Sequence, residues 1–213
     1  MKKEEIAKIL LNLGAVTLRT DPPFKWVSGI LSPIYTDNRI IMSHPKERDI
    51  IIDAFVEKMK EKNINPDFIG GIATSGIPFA AWLAKELNLP MIYIRKKTKD
   101  HGKENLIEGQ LEKGKEVLII EDLISTGGSS INGVMAVRES GCTVKNCMAI
   151  FSYQLEEADK AFKENNIELV NLTDITTLIE VAINENYISK EQKDEILNWK
   201  KDPRNWKTGG QNE

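Results

Sequence analysis

Cysteine is scarce in this chain: Cys142 and Cys147 are the only two in 213 residues. Their spacing matches neither a Cys-x-x-Cys redox pair nor a zinc knuckle, so both read as reduced packing residues. An excess of charge of one sign is also missing. Lys and Arg number 29 against 32 Asp and Glu, a formal net charge of -3. Bulk electrostatics therefore give no reason to expect a nucleic-acid or membrane partner, and any functional positive charge must be local. Long hydrophobic runs are lacking too. The opening Met1-Lys2-Lys3-Glu4-Glu5 leads into an amphipathic pattern rather than a signal-peptide core, and no stretch reaches transmembrane length. A cytoplasmic location is the expectation. Two nucleotide-binding signatures are absent, the Gly-x-Gly-x-x-Gly of dinucleotide folds and the Gly-Lys-Ser/Thr of P-loops.

What remains is an ordinary apolar content of 41% in a length that suits one sizeable core, so a single domain over 1–213 is expected. Residues 3–14 have helical spacing, with Asp21-Pro22-Pro23 closing that region. Residues 24–39, FKWVSGILSPIYTDNR, suit short strands around a tight turn. A helix is expected over 45–60, then apolar runs at 68–73, 91–94, 117–120, 144–151 and 167–172. Helices at 77–87, from about Gly128, and at 156–164 alternate with these runs, the rhythm of parallel β-α-β units. Residues 95–110 show no periodicity, and a last helix over 190–199 precedes a polar tail.

The string VLIIEDLISTGGSS at 117–130 carries the most chemistry. A buried parallel strand delivers Glu121 and Asp122 to the carboxyl edge of the sheet, where open α/β folds bind ligands. Paired carboxylates there can accept hydrogen bonds from vicinal ribose hydroxyls. The run Leu123, Ile124, Ser125, Thr126, Gly127, Gly128 and Ser129 opens a helix, whose amides and hydroxyls can hold a phosphate. Thr126-Gly127-Gly128 alone would be read as a capped turn; the full order fits a ribose phosphate. A second strand-to-helix loop, Ala73, Thr74, Ser75 and Gly76, places small residues where amides could face another anion, although glycines there could equally serve a tight turn. Residues 95–103, RKKTKDHGK, hold five basic side chains (Arg95, Lys96, Lys97, Lys99 and Lys103) against Asp100, or five minus one, +4 with His101 neutral. Such a segment is often only a solvated loop, but beside two phosphate sites it suits a highly charged leaving group.

The 117–130 string resembles the phosphoribosyl-pyrophosphate signature of type I phosphoribosyltransferases, and the wider chain resembles the orotate phosphoribosyltransferase family in a bacterial subgroup. The stretch Phe24 to Arg39 is similar to that family's base-binding region, and Trp199, Asp202-Pro203 and Trp206 to its C-terminal tail. The resemblance implies an α/β type I phosphoribosyltransferase fold: a central, mostly parallel sheet flanked by helices, with a small N-terminal hood. Residues 1–40 and the C-terminal region would form the hood and 41–175 the core. It also implies transfer of the phosphoribosyl group from its pyrophosphate to orotate, in pyrimidine nucleotide synthesis. Arg95, Lys99 and His101 would be the catalytic loop, with Lys96 a further basic position. Residues 121–129 would hold phosphoribosyl pyrophosphate, with Ser125 also on orotate. Ala73 to Gly76 would hold pyrophosphate through a loop in which the 73–74 peptide is often cis. Magnesium would ride mainly on substrate phosphates and water rather than on a protein cage. A homodimer would share its sites, each basic loop closing over the neighbour.

The chain departs from the resembled pattern in the base region. A lysine beside Ser28-Gly29 is replaced by Val27 and Leu31, and residues 151–155, Phe-Ser-Tyr-Gln-Leu, contain no arginine. Arg39 is a further candidate for orotate, balanced against an ordinary ion pair. Two rivals are a regulator that senses phosphoribosyl pyrophosphate and a transferase for uracil or a purine. The first would need an added nucleic-acid-binding surface, and the second a different Phe24 to Arg39 region.

Overall fold

The computed structural model describes residues 1–26, 29–96 and 106–206. Its centre is a six-stranded sheet in the order β10-β9-β8-β5-β6-β7. The strands are β5 (Phe68–Ile72), β6 (Met91–Ile94), β7 (Ile107–Glu108), β8 (Val117–Ile124), β9 (Asn146–Ser152) and β10 (Glu168–Asp174). All neighbours pair in parallel except β7, which runs antiparallel to β6. Buried residues occupy all of β5 and nearly all of β9, because helices cover both faces and leave no solvent side to alternate toward.

The covering helices are α2 (Pro45–Lys62), α3 (Gly76–Leu87), α4 (Gly128–Glu139), α5 (Glu156–Glu164) and α6 (Ile175–Asn184). Pro45 sits at the start of α2, where its missing N–H costs nothing, and Asn63 and Asn88 end α2 and α3 in the left-handed region. One apolar cluster joins α1 (Lys3–Asn12), α2, α3 and α6 to one face of the sheet. The other is formed chiefly by α4, α5 and the strand residues facing them. Cys142 and Cys147 are buried and unpaired, as their spacing predicts.

Outside the sheet, β1 (Val16–Leu18) pairs antiparallel with β4 (Ile34–Thr36), and β2 (Phe24–Lys25) with β3 (Leu31–Ser32). A 3-10 helix over Asn38–Ser43 leads into α2. The closing helix α7 (Lys190–Lys201) begins with a Ser189/Gln192 capping box and lays Trp199, fully buried, against this region. The Trp199 indole N–H donates to the Leu31 carbonyl at 3.1 Å. This contact carries the end of the chain back to its beginning.

The sequence expectations hold for most elements, with four omissions, one of them the 3-10 helix over Asn38–Ser43. Strand β1, strand β7 and helix α6 are not anticipated, and β8 extends to Ile124 rather than stopping at Ile120. The acids at 121 and 122 interrupt the apolar run, yet pairing with β9 continues through Glu121↔Ala149, Leu123↔Phe151 and Ile124↔Ser152. The two carboxylates thus lie within a strand, not beyond it.

Asp174 ties the N-terminal helix to the sheet. It is 2% exposed, caps α6 by accepting from the Thr177 amide at 2.9 Å, and accepts from Lys3 Nζ at 2.6 Å. Burial pushes its carboxyl up, but the Lys3 ammonium and the Thr177 donors outweigh this and leave it below the ordinary range. A depressed value in the folded state means stability that is present above the unfolded value and lost as pH falls through the folded one. Asp174→Ala should cost about 1–2 kcal/mol, chiefly the lost cap, since the exposed Lys3 screens the ion pair. Urea melts of both proteins would show this gap at pH 7, narrowing below about pH 4. A gap independent of pH would show that the charge contributes nothing.

Candidate active site

Strands β5 and β8 are neighbours, but the chain leaves them in opposite directions across the sheet, β5 toward β6 and β8 toward β9. Loops at the carboxyl ends of such a pair diverge and open a crevice, the switch point of a doubly wound sheet. A cleft of about 260 Å³ lies there. Ala73, Thr74 and Ser75 form one side, Leu123 and Ser125 to Ser130 the other, with Glu121 and Asp122 between them and Thr36, Asp37, Arg39 and Lys96 around the rim. Glu121, Asp122, Leu123, Ser125, Thr126, Gly127, Gly128, Ser129, Ala73, Thr74, Ser75 and Lys96 all belong to the predicted set. The peptide between Ala73 and Thr74 is cis.

Two predicted loop members do not face the cleft. Ile124 is 1% exposed and packs into the core beneath the site. Gly76 is buried at the first turn of α3, where a Cβ would stand 2.5 Å from the Ile120 carbonyl oxygen. Its role is to let α3 approach β8. Arg95 lines an adjoining cleft with Leu106, Asn132 and Glu139, and its guanidinium lies 3.5 Å from Glu108. Lys99 and His101 lie outside the described residues.

The phosphate-facing loops are built from backbone. Gly127 takes a left-handed φ of +80° and precedes α4 without a side-chain cap, and no acid occupies the first turn of α4. Helix α3 likewise starts after Ser75 with neither a side-chain cap nor a first-turn acid. First-turn amides have no intrahelical acceptor, so both helix starts offer N–H groups and positive partial charge to anions. A side chain at 127 would also meet the Phe162 ring at 3.0 Å.

Between the loops, Glu121 is 7% exposed and Asp122 half-buried. The Asp122 amide donates to Glu121 Oε1 at 3.2 Å. Burial raises both carboxyls above the ordinary range. For Glu121, the neighbouring Asp122 adds to the effect, so Glu121 rises well above it; for Asp122, hydrogen bonding from Glu121 and local amides works in the opposite direction. Arg39 draws Asp122 down and Lys96 draws Glu121 down, so both cations on the rim favour the ionised pair.

Several contacts that join these parts are invisible to motif reading. Asn38, fully buried, donates from Nδ2 to the Asp122 carbonyl at 2.7 Å and so ties the 3-10 helix to the acid pair. Thr36, Leu123 and Ser125 also line an adjoining pocket of about 270 Å³ whose other walls are Trp26, Tyr35 and Tyr153. Trp26 stacks on Tyr153 with ring centroids 5.5 Å apart and planes 16° from parallel, and Trp199 meets both edge-on. Tyr153 occupies the 151–155 stretch that lacks arginine. Asn38 and Tyr153 carry no spacing signal; their partners are distant in sequence.

Comparison with known proteins agrees with this architecture. A family model described as a phosphoribosyl transferase domain matches residues 38–182. A curated orotate phosphoribosyltransferase of Coxiella burnetii is 52% identical over 202 residues, covering 95% of this chain and 97% of that protein. One from Listeria innocua is 48% identical over 204 residues, covering 96% and 98%. The solved orotate phosphoribosyltransferase of Aeropyrum pernix superposes with a TM-score of 0.75 at 27% identity, covering 86% of this chain and 99% of its own. With a cleft at the switch point, an acid pair between two anion loops, and relatives matched along nearly their whole length, the chain belongs to the orotate phosphoribosyltransferase family of type I phosphoribosyltransferases.

Proposed function

We propose that this chain transfers the 5-phosphoribosyl group from phosphoribosyl pyrophosphate to orotate, giving orotidine 5'-phosphate and pyrophosphate in pyrimidine nucleotide synthesis. The observation that carries the reading is the convergence of two uncapped helix starts and the Glu121/Asp122 pair on one cleft. In this reading, the amides at 125–129 take the 5-phosphate, Glu121 and Asp122 accept from the ribose hydroxyls, and the 73–75 loop with Lys96 takes the pyrophosphate. Orotate sits in the aromatic pocket, with Ser125 at the junction of the two cavities.

Bond breaking at the anomeric carbon develops charge on the departing pyrophosphate while the ring nitrogen of orotate attacks from the opposite face. Lys99, His101 and Arg95 are proposed to neutralise that charge, closing over the site of a neighbouring subunit in a cytoplasmic homodimer. Orotate releases its ring proton readily, so no strong general base is assigned. Among the described residues no three His, Cys, Asp or Glu side chains gather as a metal cage. Magnesium would be carried on pyrophosphate oxygens, where it would share the leaving charge.

The test is orotate consumption, followed by ultraviolet absorbance, with phosphoribosyl pyrophosphate and magnesium, beside parallel reactions offering uracil, adenine, guanine and xanthine. Magnesium-dependent turnover of orotate is expected. Turnover of another base in its place would move the substrate, and binding of phosphoribosyl pyrophosphate without turnover of any base would favour a regulator.

A further inference from the structure

The pocket that suits the base is lined by Trp26, Tyr35, Thr36, Leu123, Ser125 and Tyr153, none of them positively charged. Orotate differs from uracil by one carboxylate, and an anion brought against stacked aromatic walls is strongly disfavoured unless a cation meets it. Tyr153 brings a neutral phenol to this wall, a hydrogen-bond donor but no positive charge. Two described cations line the connected cleft, Arg39 and Lys96. Lys96 also lines the adjoining cleft with Arg95 and Ser129, which shares no lining residue with the aromatic pocket. Arg39 lies three residues after Thr36, one of the residues common to cleft and base pocket, at the start of the 3-10 helix that follows β4.

Arg39 is also pre-oriented. Its Nε donates to Asp37 Oδ1 at 2.6 Å and its Nη2 to Asp37 Oδ2 at 2.7 Å, while the Asp37 side chain accepts from the Arg39 amide at 3.2 Å. Asp37 uses one edge of the guanidinium and leaves Nη1 for another acceptor. A planar fork held in this way loses little freedom when it meets a second carboxylate.

We propose that Arg39, clamped by Asp37, reads the carboxylate of the pyrimidine and makes the site prefer orotate over uracil. The proposal rests on the reading of orotate as the base. Its test compares binding of orotidine 5'-phosphate and uridine 5'-phosphate, which share the phosphoribosyl part and differ by the carboxylate. Titration calorimetry on wild type should show a preference for orotidine 5'-phosphate. Arg39→Gln should weaken that ligand roughly tenfold or more and weaken uridine 5'-phosphate by a clearly smaller factor, through the lost pull on Asp122. Asp37→Asn, which keeps the cation but loosens its clamp, should lose part of the preference. Equal weakening of both nucleotides would assign Arg39 to the phosphoribosyl half, and no change in either would make it a surface ion pair; both overturn the proposal. Wild type that binds neither nucleotide would overturn the orotate reading itself. Matching melting temperatures would show that the variants are folded.

Discussion

Asp122→Asn should lower kcat/KM with phosphoribosyl pyrophosphate by roughly 100-fold, because it removes a charged acceptor from the point where the ribose hydroxyls would lie. The side chain keeps its volume and the backbone carbonyl at 122 keeps its bond from Asn38, so the loss is in chemistry, not in folding. Glu121→Gln should lose activity similarly but move stability the other way. The folded-state value of Glu121 lies above the unfolded one, so its contribution to stability is complete below the unfolded value and falls as pH rises through the folded value. At pH 7 the variant, which has no charge to bury and whose amide oxygen can still accept from the Asp122 amide, should melt higher than wild type. Substrate binding follows the opposite sign. Ionised acceptors are needed, so affinity for phosphoribosyl pyrophosphate should decline as pH falls, and the decline should begin above the ordinary carboxylate range because both groups are raised. Calorimetric titrations across pH, beside thermal melts, would separate these effects. An affinity that does not change with pH until the ordinary carboxylate range, together with a Gln variant no more stable than wild type, would contradict the assignment of a strained acid pair.

The sequence made the core of the site legible because its chemistry is local. The order strand, two acids, then small and hydroxyl residues can be read within 117–130, and the structure brings it together with 73–75 as the switch-point rule requires. What was not legible depends on tertiary pairing. Strands β1 and β7 have three and two residues, too few for any period to show, and exist through their partners β4 and β6. Helix α6, ITTLIEVAIN, is mostly buried and rich in β-branched residues, so it lacks the polar face that separates a helix from a strand by pattern. A loop string does not say which of its members face the ligand. Ile124 turns inward to the core, and Arg95 turns toward Glu108. The aromatic base pocket was legible only in part: Trp26, Tyr35 and Thr36 fall in the Phe24 to Arg39 region read as base-binding, but the packing of Trp26, Tyr153 and Trp199 joins three separate parts of the chain.

Gly76→Ala should cost roughly 3 kcal/mol of stability and about 100-fold in kcat/KM, although the residue itself touches no ligand in the proposed reaction. The methyl group would stand 2.5 Å from the Ile120 carbonyl oxygen, 3.3 Å from Glu121 Cα and 3.4 Å from Glu121 Oε1. The first two are backbone atoms of a strand paired on both edges, with β5 on one side and β9 on the other, so they cannot step aside as a side-chain end would. Relief must come from moving α3 or the carboxyl end of β8. Either movement displaces the 73–75 loop from the acid pair, and a misplacement on the order of 1 Å is enough to cost about 100-fold. Gly128→Ala provides the control, because a Cβ there meets nothing within 4 Å and alanine suits the first turn of a helix. That variant should melt like wild type. If Gly76→Ala did the same and retained full turnover, the close approach of α3 to β8 would not be what holds the two halves of the site in register.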